Sequence, residues 1–348
     1  MDMASFRVAF EPYLAKVTEE RLQRFSALAQ DNFLASIVAG LPPLLAGGKR
    51  LRPYLAQIGY AAGSGVDEQG VMELGVGLEL FHVFCLVHDD IIDKAPVRRG
   101  VPTIESVAFD RLTSGDRRGD LPHVARGHAM LLGDLLFSWS LEMVQRSASR
   151  STQPALVHEQ MFAMIDEVVV GQMIDVDTMT RDEYDAALLE RKIYLKTASY
   201  SFVRPMLLGL ALSGSFSSEL EKALRNFAEP IGVAFQIQDD LFDVISSAEE
   251  LGKPVLADVR DGQQTLLTAH LALHADEKVR EMLRLALLGD AAALVALPEV
   301  FISSGAVASA QARVEALLRE ADQAVAELPV AIQASCHDLV RLLQKRTS

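Results

Sequence analysis

The chain has 348 residues, half of them hydrophobic, and 33 Lys and Arg against 47 Asp and Glu give a formal net charge of −14. That is ample material for a large core, and an acidic chain without a basic stripe excludes nucleic acid as its main partner. Two cysteines, Cys85 and Cys336, give no disulfide framework and suit a reducing compartment.

The N-terminus, MDMASFRVAFEPYL, has acids early and no arginine-led apolar stretch, so no signal peptide is expected. No window reaches eighteen uncharged apolar residues; the nearest, FLASIVAGLPPLLAGG, is broken by Pro42 and Pro43. The expectation is a soluble, cytoplasmic protein with no transmembrane segment. GGKRLRP, from Gly47 to Pro53, sets three cations within four positions, after a glycine pair and ahead of a helix. Cations beside exposed backbone N–H groups at a helix start form an anion site, and a basic surface loop would look the same.

VMELGVGLELFHVFCLVHDD keeps apolar residues at three- and four-residue spacing and predicts a buried helix that ends in acids. The stretch LVHDDIIDKAPVRRG puts Asp89 and Asp93 on one helical face with Asp90 beside them, followed at once by Arg98 and Arg99. Carboxylates so placed repel one another, and Mg²⁺ removes that cost because it prefers oxygen ligands and binds one or two carboxylates plus substrate phosphates. One such copy reads equally well as a solvated acidic turn.

Further on, HVARGHAMLLGDLLFSWSLEMVQRS, LVHEQMFAMIDEVVVGQMIDV, LERKIYLKTASYSFVRPMLLGLALSG and SELEKALRNFAEPIGVAFQIQDDLFDV keep the helical period. GQMIDVD offers Gln172 and Asp175 on one face, and KTASY sets Lys196 inside an apolar stretch, where an ammonium needs a partner or must snorkel. FQIQDDLFD then repeats the acid spacing with Asp239, Asp240 and Asp243, again behind an apolar segment. Acids that only solvate a surface have no need to recur in this arrangement. Two such helices facing each other would form a cup of carboxylates for several Mg²⁺ ions and one polyphosphate. GKP adds Lys253, and two less apolar helices close the chain. Strand alternation, linkers and fixed-period repeats are lacking, which predicts one all-α domain, residues 1–348, of ten or more helices around a central cavity. The chemistry this suits is a diphosphate leaving group held by Mg²⁺ and cations, with an apolar tail lying between helices.

In order, these motifs resemble those of the trans-isoprenyl diphosphate synthases, the polyprenyl synthetase family, short-chain farnesyl and geranylgeranyl diphosphate synthases among them. The resemblance runs from GGKRLRP through HDDIIDKAPVRRG, GQMID, KTASY and FQIQDDLFD to GKP, nearly the whole length. It implies antiparallel helices around a deep cavity (the isoprenoid synthase fold), usually as a homodimer. It also implies head-to-tail condensation of isopentenyl diphosphate onto an allylic diphosphate with three Mg²⁺. By the same resemblance Asp89 and Asp93 would bind Mg²⁺ with Asp90 supporting them, and Asp239 would bind the third ion, with Asp240 and Asp243 nearby or acting through water. Arg98, Lys196 and Lys253 would grip the allylic diphosphate; Lys49, Arg52, Arg99 and His82 would hold isopentenyl diphosphate. Thr197 and Gln236 would present oxygens to the developing allylic cation. His82, two turns below Asp89 on the same face, would otherwise be an ordinary core histidine.

One position departs from the family pattern. Where the family has a lysine after the second acid cluster, DVRDGQQT has Gln263. Either Arg260 takes over, or the allylic grip is weaker, or the substrate differs. The product tail would run from the first acid cluster back down its helix, where at roughly 1.5 Å per residue Phe84 lies about 7.5 Å and Phe81 about 12 Å below Asp89. Both rings could instead be plain core packing. In the resembling enzymes a large residue five before the first Asp forms the cavity floor, and a second aromatic after it shortens the product to fifteen carbons. Here that second position is the small Cys85, and the acid motif lacks the two-residue insertion of many bacterial fifteen-carbon synthases, so a twenty-carbon product is expected over fifteen.

Three rivals fit less well. A class I terpene cyclase normally has a different second acid motif and no isopentenyl site. A di-iron bundle needs two E-x-x-H pairs, and only Glu79 with His82 is found. A non-catalytic subunit of a heteromeric synthase would have lost acids, and both clusters are intact.

Overall fold

Short polar residues start most of the long helices, because their side chains accept hydrogen bonds from first-turn N–H groups that lack helical partners. In a computed structural model, which describes residues 2–98, 100–246 and 255–345, Asp67 does this for α5 (Glu68–Ile92), Asp120 for α7 (Leu121–Ala148) and Ser217 for α11 (Ser218–Ile245). Arg99 and Lys253 lie outside the described residues. Among the described residues the only strands are the two-residue β1 (Val97–Arg98) and β2 (Val101–Pro102), paired antiparallel. The fold is all-α.

The chain divides into two compact units, Met1–Tyr60 with Ser64–His158 and Ala211–Ser215, and Ala61–Gly63 with Glu159–Leu210 and Phe216–Ser348. In the first, α1 (Met3–Ala29), α2 (Asn32–Val38), α3 (Leu41–Leu45) and the start of α4 (Leu51–Ala62) precede α5; α6 (Ile104–Thr113) and α7 follow the strand pair. Helices α5 and α7 lock together through small residues seven apart. Ser140 Oγ donates to the Gly77 carbonyl at 2.7 Å and Ser147 Oγ to the Gly70 carbonyl at 2.8 Å. A Cβ on Gly77 would sit 2.8 Å from Val144 Cγ2, so glycine is what permits this approach. By length and composition α5 qualifies as a membrane span, but 78% of its apolar window is buried inside the protein, as in a core helix.

Arg50 braces the same unit. Its guanidinium donates to Glu79 at 2.6 Å, to Glu11 at 2.9 Å and to the Leu45 carbonyl at 2.5 Å, and the residue is buried. One of the three cations of GGKRLRP is therefore a structural strut, and Glu79 is its partner.

The second unit holds most of α8 (Pro154–Thr178), then α9 (Ala186–Ile193), a π-helix (Tyr194–Val203), most of α10 (Arg204–Ser213) and α11. Among the described residues it ends in the α-helices α12 (Ala257–Arg260), α13 (Leu266–His274), α14 (Glu277–Leu287), α15 (Ala291–Ser303), α16 (Ala306–Ala324) and α17 (Val330–Gln344), with a 3₁₀ turn, Val325–Glu327, between the last two. Helix α11 packs along α16 on one side and the π-helix on another. Glycines let the π-helix come close: a Cβ on Gly171 would lie 2.5 Å from the Lys196 amide nitrogen, and one on Gly232 2.8 Å from Ala198 Cα. A clamp holds its register. Arg204 pairs with Glu167 and donates to Gln160 at 2.6 Å, while Ser199 also donates to Glu167. Burial works to raise the Glu167 pKa, but the bonds from Arg204 and Ser199 outweigh it and hold the carboxyl below its ordinary range.

Candidate active site

In the first unit the acid motif closes α5. Asp89 is half-buried, Asp90 is buried, and Asp93 caps the helix, its N–H donating to the Asp89 carbonyl at 2.8 Å. Lys94 then turns the chain at φ +52°, which lets the strand pair fold back and bring Arg98 onto the acids. Arg98 Nε donates to Asp90 Oδ1 at 2.5 Å, and its NH2 group lies 3.4 Å from Asp89 Oδ2. Burial raises the Asp90 pKa more than Arg98 lowers it, and Asp90 Oδ2 is buried and accepts no hydrogen bond among the described residues. A cavity of about 310 Å³ brings Asp90, Arg98 and Val83 together with Gly47 of the GGKRLRP loop and Ala46 just before it. Lys49 is exposed on that loop, Arg52 is half-buried in the first turn of α4, and His82 is buried on α5.

Below the acids, Phe84 and Phe81 do not stack flat. Their rings are tilted by 53° with centroids 5.4 Å apart, and Phe137 of α7 completes a trio at 5.0 Å from Phe84 and 6.1 Å from Phe81. The sequence reading missed Phe137, because nothing in a single helix's period says which neighbour its ring meets. Cys85 is half-buried.

In the second unit a hydrogen-bond chain links the other motifs. Thr197 Oγ1 donates to Gln236 Oε1 at 2.7 Å, and Gln236 Nε2 donates to Asp240 Oδ1 at 2.7 Å. The Thr197 hydroxyl thus spends its proton on Gln236 and keeps its lone pairs for another partner. Lys196 Nζ donates to Asp175 Oδ2 at 2.5 Å, so the lysine has a carboxylate partner and does not merely snorkel. A smaller cavity, about 50 Å³, is lined by Asp175, Lys192, Lys196, Thr197, Gln236, Asp240 and Gln263. Burial pushes the Asp240 carboxyl up to about 6 against the Gln236 bond and the Lys192 charge, with Asp239 and Asp243 adding to the rise. Burial likewise works to raise Asp175, but Lys196 and Lys192 outweigh it and its carboxyl sits below its ordinary range. Asp239 is half-buried; Asp243 is buried, with Oδ2 accepting from the Asp258 N–H at 3.0 Å. Gln172 is half-buried on α8.

Among the described residues no three His, Cys, Asp or Glu side chains converge as a closed metal cage. Mg²⁺ bound through one or two carboxylates and substrate phosphates needs no such cage. The acids of each unit fit that ion by themselves: in the first, hard oxygens with the buried Asp90 Oδ2 accepting no hydrogen bond among the described residues, and in the second, Asp240, whose burial opposes its charge until a cation arrives.

Known proteins with this pattern are close in both sequence and shape. A short chain isoprenyl diphosphate synthase of Methanothermobacter thermautotrophicus is 32% identical over 307 residues, covering 84% of this chain and 86% of the relative. A geranylfarnesyl diphosphate synthase of Aeropyrum pernix is 30% identical over 316 residues, 88% of this chain and 91% of that one. Among solved structures, geranylgeranyl pyrophosphate synthase from Corynebacterium glutamicum, complexed with isoprenyl diphosphate and magnesium, superposes with a TM-score of 0.86 at 27% identity, covering 96% of this chain and 98% of that one. The profile of the polyprenyl synthetase family matches residues 40–298, and the chain belongs to that family.

Proposed function

We propose that this chain is a trans-prenyltransferase that condenses isopentenyl diphosphate head-to-tail with an allylic diphosphate, releasing diphosphate and a short-chain all-trans prenyl diphosphate. The observation that carries this is the cavity of the second unit. There a carboxylate-paired lysine, an oriented hydroxyl and a buried acid share one wall, and nothing in it acts as a nucleophile.

Lys196, held by Asp175, donates to the allylic diphosphate and steadies the charge that builds on it as the C–O bond breaks. Thr197 and Gln236, joined by the hydrogen bond from the Thr197 hydroxyl to Gln236 Oε1, would present oxygens to the cation left behind. Asp89 and Asp93, with Asp90 in support, and Asp239, with Asp240 and Asp243 in support, are the residues that would hold three Mg²⁺ ions. When bound, Mg²⁺ supplies Lewis acidity towards the departing diphosphate. Arg98 and Lys253 complete the allylic grip, and Lys49, Arg52, Arg99 and His82 hold isopentenyl diphosphate. The Phe81, Phe84 and Phe137 rings exclude water and limit the tail, and the small Cys85 after Phe84, with no two-residue insertion in the acid motif, supports a twenty-carbon product.

The whole chain acts as one catalytic domain in the cytoplasm, and the burial of α5 inside the protein supports its being a core helix and not a membrane span. It works as a homodimer. An apolar stripe on α8, with Phe162 at 57%, Val169 at 45% and Met173 at 66% exposure, supports that assembly. Incubation with Mg²⁺, isopentenyl diphosphate and allylic primers of five to fifteen carbons tests the reading. A twenty-carbon product is expected, and absence of any prenyl product from every primer would sink it.

A further inference from the structure

The helix that carries Lys196 runs in the wide π register, and one carboxylate ties together the turn that follows the lysine. The Arg204 N–H donates to the Ser199 carbonyl, five residues back, which closes a π-turn. The side chains of the same two residues converge on Glu167 of α8. Ser199 Oγ donates to Glu167 Oε2, Arg204 Nε donates to that same oxygen at 2.8 Å, and the Arg204 NH2 group pairs with Oε1. Ser199 and Arg204 are both buried. In an α-helix, residues five apart point roughly 140° away from each other, whereas the i→i+5 turn brings them back towards one side. A carboxylate shared by the two therefore favours the wide turn over the α-turn.

What this register sets is the lysine. Glu167, Gly171 and Asp175 stand four apart on one face of α8 and meet the preceding turns of the π-helix one after another. Glu167 takes Ser199, Gly171 leaves room for the Lys196 backbone, and Asp175 accepts from Lys196 Nζ at 2.5 Å. Taking one π-turn back to α spacing absorbs a residue and swings the chain before it by roughly 100° about the axis. Lys196 lies in the part that would swing.

We propose that Glu167 is a positioning residue: by stapling Ser199 to Arg204 it holds the π-turn that aims Lys196 at the allylic diphosphate. The role of Lys196 here rests on the prenyltransferase reading. Steady-state kinetics of the full chain with Mg²⁺, isopentenyl diphosphate and the allylic primer the wild type prefers test it in E167A, S199A, K196A, E167A/K196A and S199A/K196A. Circular dichroism verifies folding. E167A should lower kcat on the order of 10²-fold and S199A about tenfold, with the isopentenyl diphosphate KM within about twofold. In the K196A background each should cost less than about threefold, because the side chain it positions is gone, whereas a merely structural role costs the same in both backgrounds. The proposal is overturned by a folded E167A that loses less than about tenfold in kcat, or by an E167A change that costs K196A more than about threefold. Should E167A not fold, S199A decides, and a loss below about threefold in the wild-type background, or an equal loss in both backgrounds, overturns it. If the wild type makes no prenyl product, the activity reading fails instead, and a crystal structure of E167A (or of S199A) tests the staple by itself. There the Ser199 carbonyl should accept from the Val203 N–H and Lys196 should leave Asp175; an unchanged π-turn with Lys196 still on Asp175 would overturn it.

Discussion

Asp90 and Asp240 are acids whose burial opposes the charge they need in order to bind a cation. Each cluster should therefore be indispensable: Asp89→Ala or Asp239→Ala should lower turnover on the order of 10³-fold with helicity preserved, because each removes a ligand of an ion acting in the transition state. Near wild-type rates for either variant, or full activity in EDTA, would refute the metal assignment. Asp240 also sets a pH dependence. With its carboxyl pushed up to about 6, the folded chain holds a proton that the unfolded chain has released. This favours folding fully below about pH 4 and is lost as pH rises through about 6. A cation demands the opposite form, the carboxylate. Mg²⁺ with pyrophosphate should thus raise the melting temperature more at about pH 7.5 than at about pH 5; equal shifts would separate the metal from Asp240. The two acid clusters and Lys196 stand out in the sequence by residue type and spacing, and Thr197 only by resemblance. Lys192 does not. A lysine in LERKIYLKT looks like any helix-surface cation until its burial against Asp175 and the Gln264 carbonyl is seen.

Under the proposed function, helices α5 and α7 set how far a product tail reaches. Phe84→Ala should lengthen the product by about one five-carbon unit, since Phe81 lies one turn below. Phe84→Ala with Phe81→Ala should lengthen it further, and Phe137→Ala should broaden the product range, because its ring leans on both. Product chromatography reads all three, and unchanged lengths would place the floor elsewhere. The same helix pair should resist crowding: Gly77→Ala, with its Cβ 2.8 Å from Val144 Cγ2 and 3.2 Å from the Ser140 carbonyl, should cost about 1–3 kcal/mol in thermal or denaturant unfolding. Acid-tipped apolar helices are visible in the sequence. The π-helix is not, since KTASY has the same local propensities in either register. The Glu167–Arg204 clamp and the close approach of Gly171 and Gly232 are what hold the wider turn.

Across the whole molecule, the all-α class follows from period alone, while the division into two units does not, because three of its boundaries fall inside α4, α8 and α10 and no change of composition marks them. The α8 stripe was equally hidden, since that helix is apolar on several sides and only packing shows which side stays exposed. Phe162→Glu with Met173→Glu would set charges into the stripe and should convert a dimer to monomers in light scattering after size exclusion. A dimer that survives both changes would have its interface on another face.

The two thiols form a labelling clock with two hands. Burial pushes the Cys336 thiol of α17 up to about 12, so at neutral pH it holds almost no thiolate and waits for the fold to open. Cys85 is half-buried and follows Phe84 on α5, the helix along which the proposed tail would run. Alkylation should therefore mark Cys85 first, at a rate slowed by a bound allylic diphosphate. Cys336 should be marked only at the rate of unfolding, so one mass-spectrometric time course follows ligand occupancy and fold opening without an added probe.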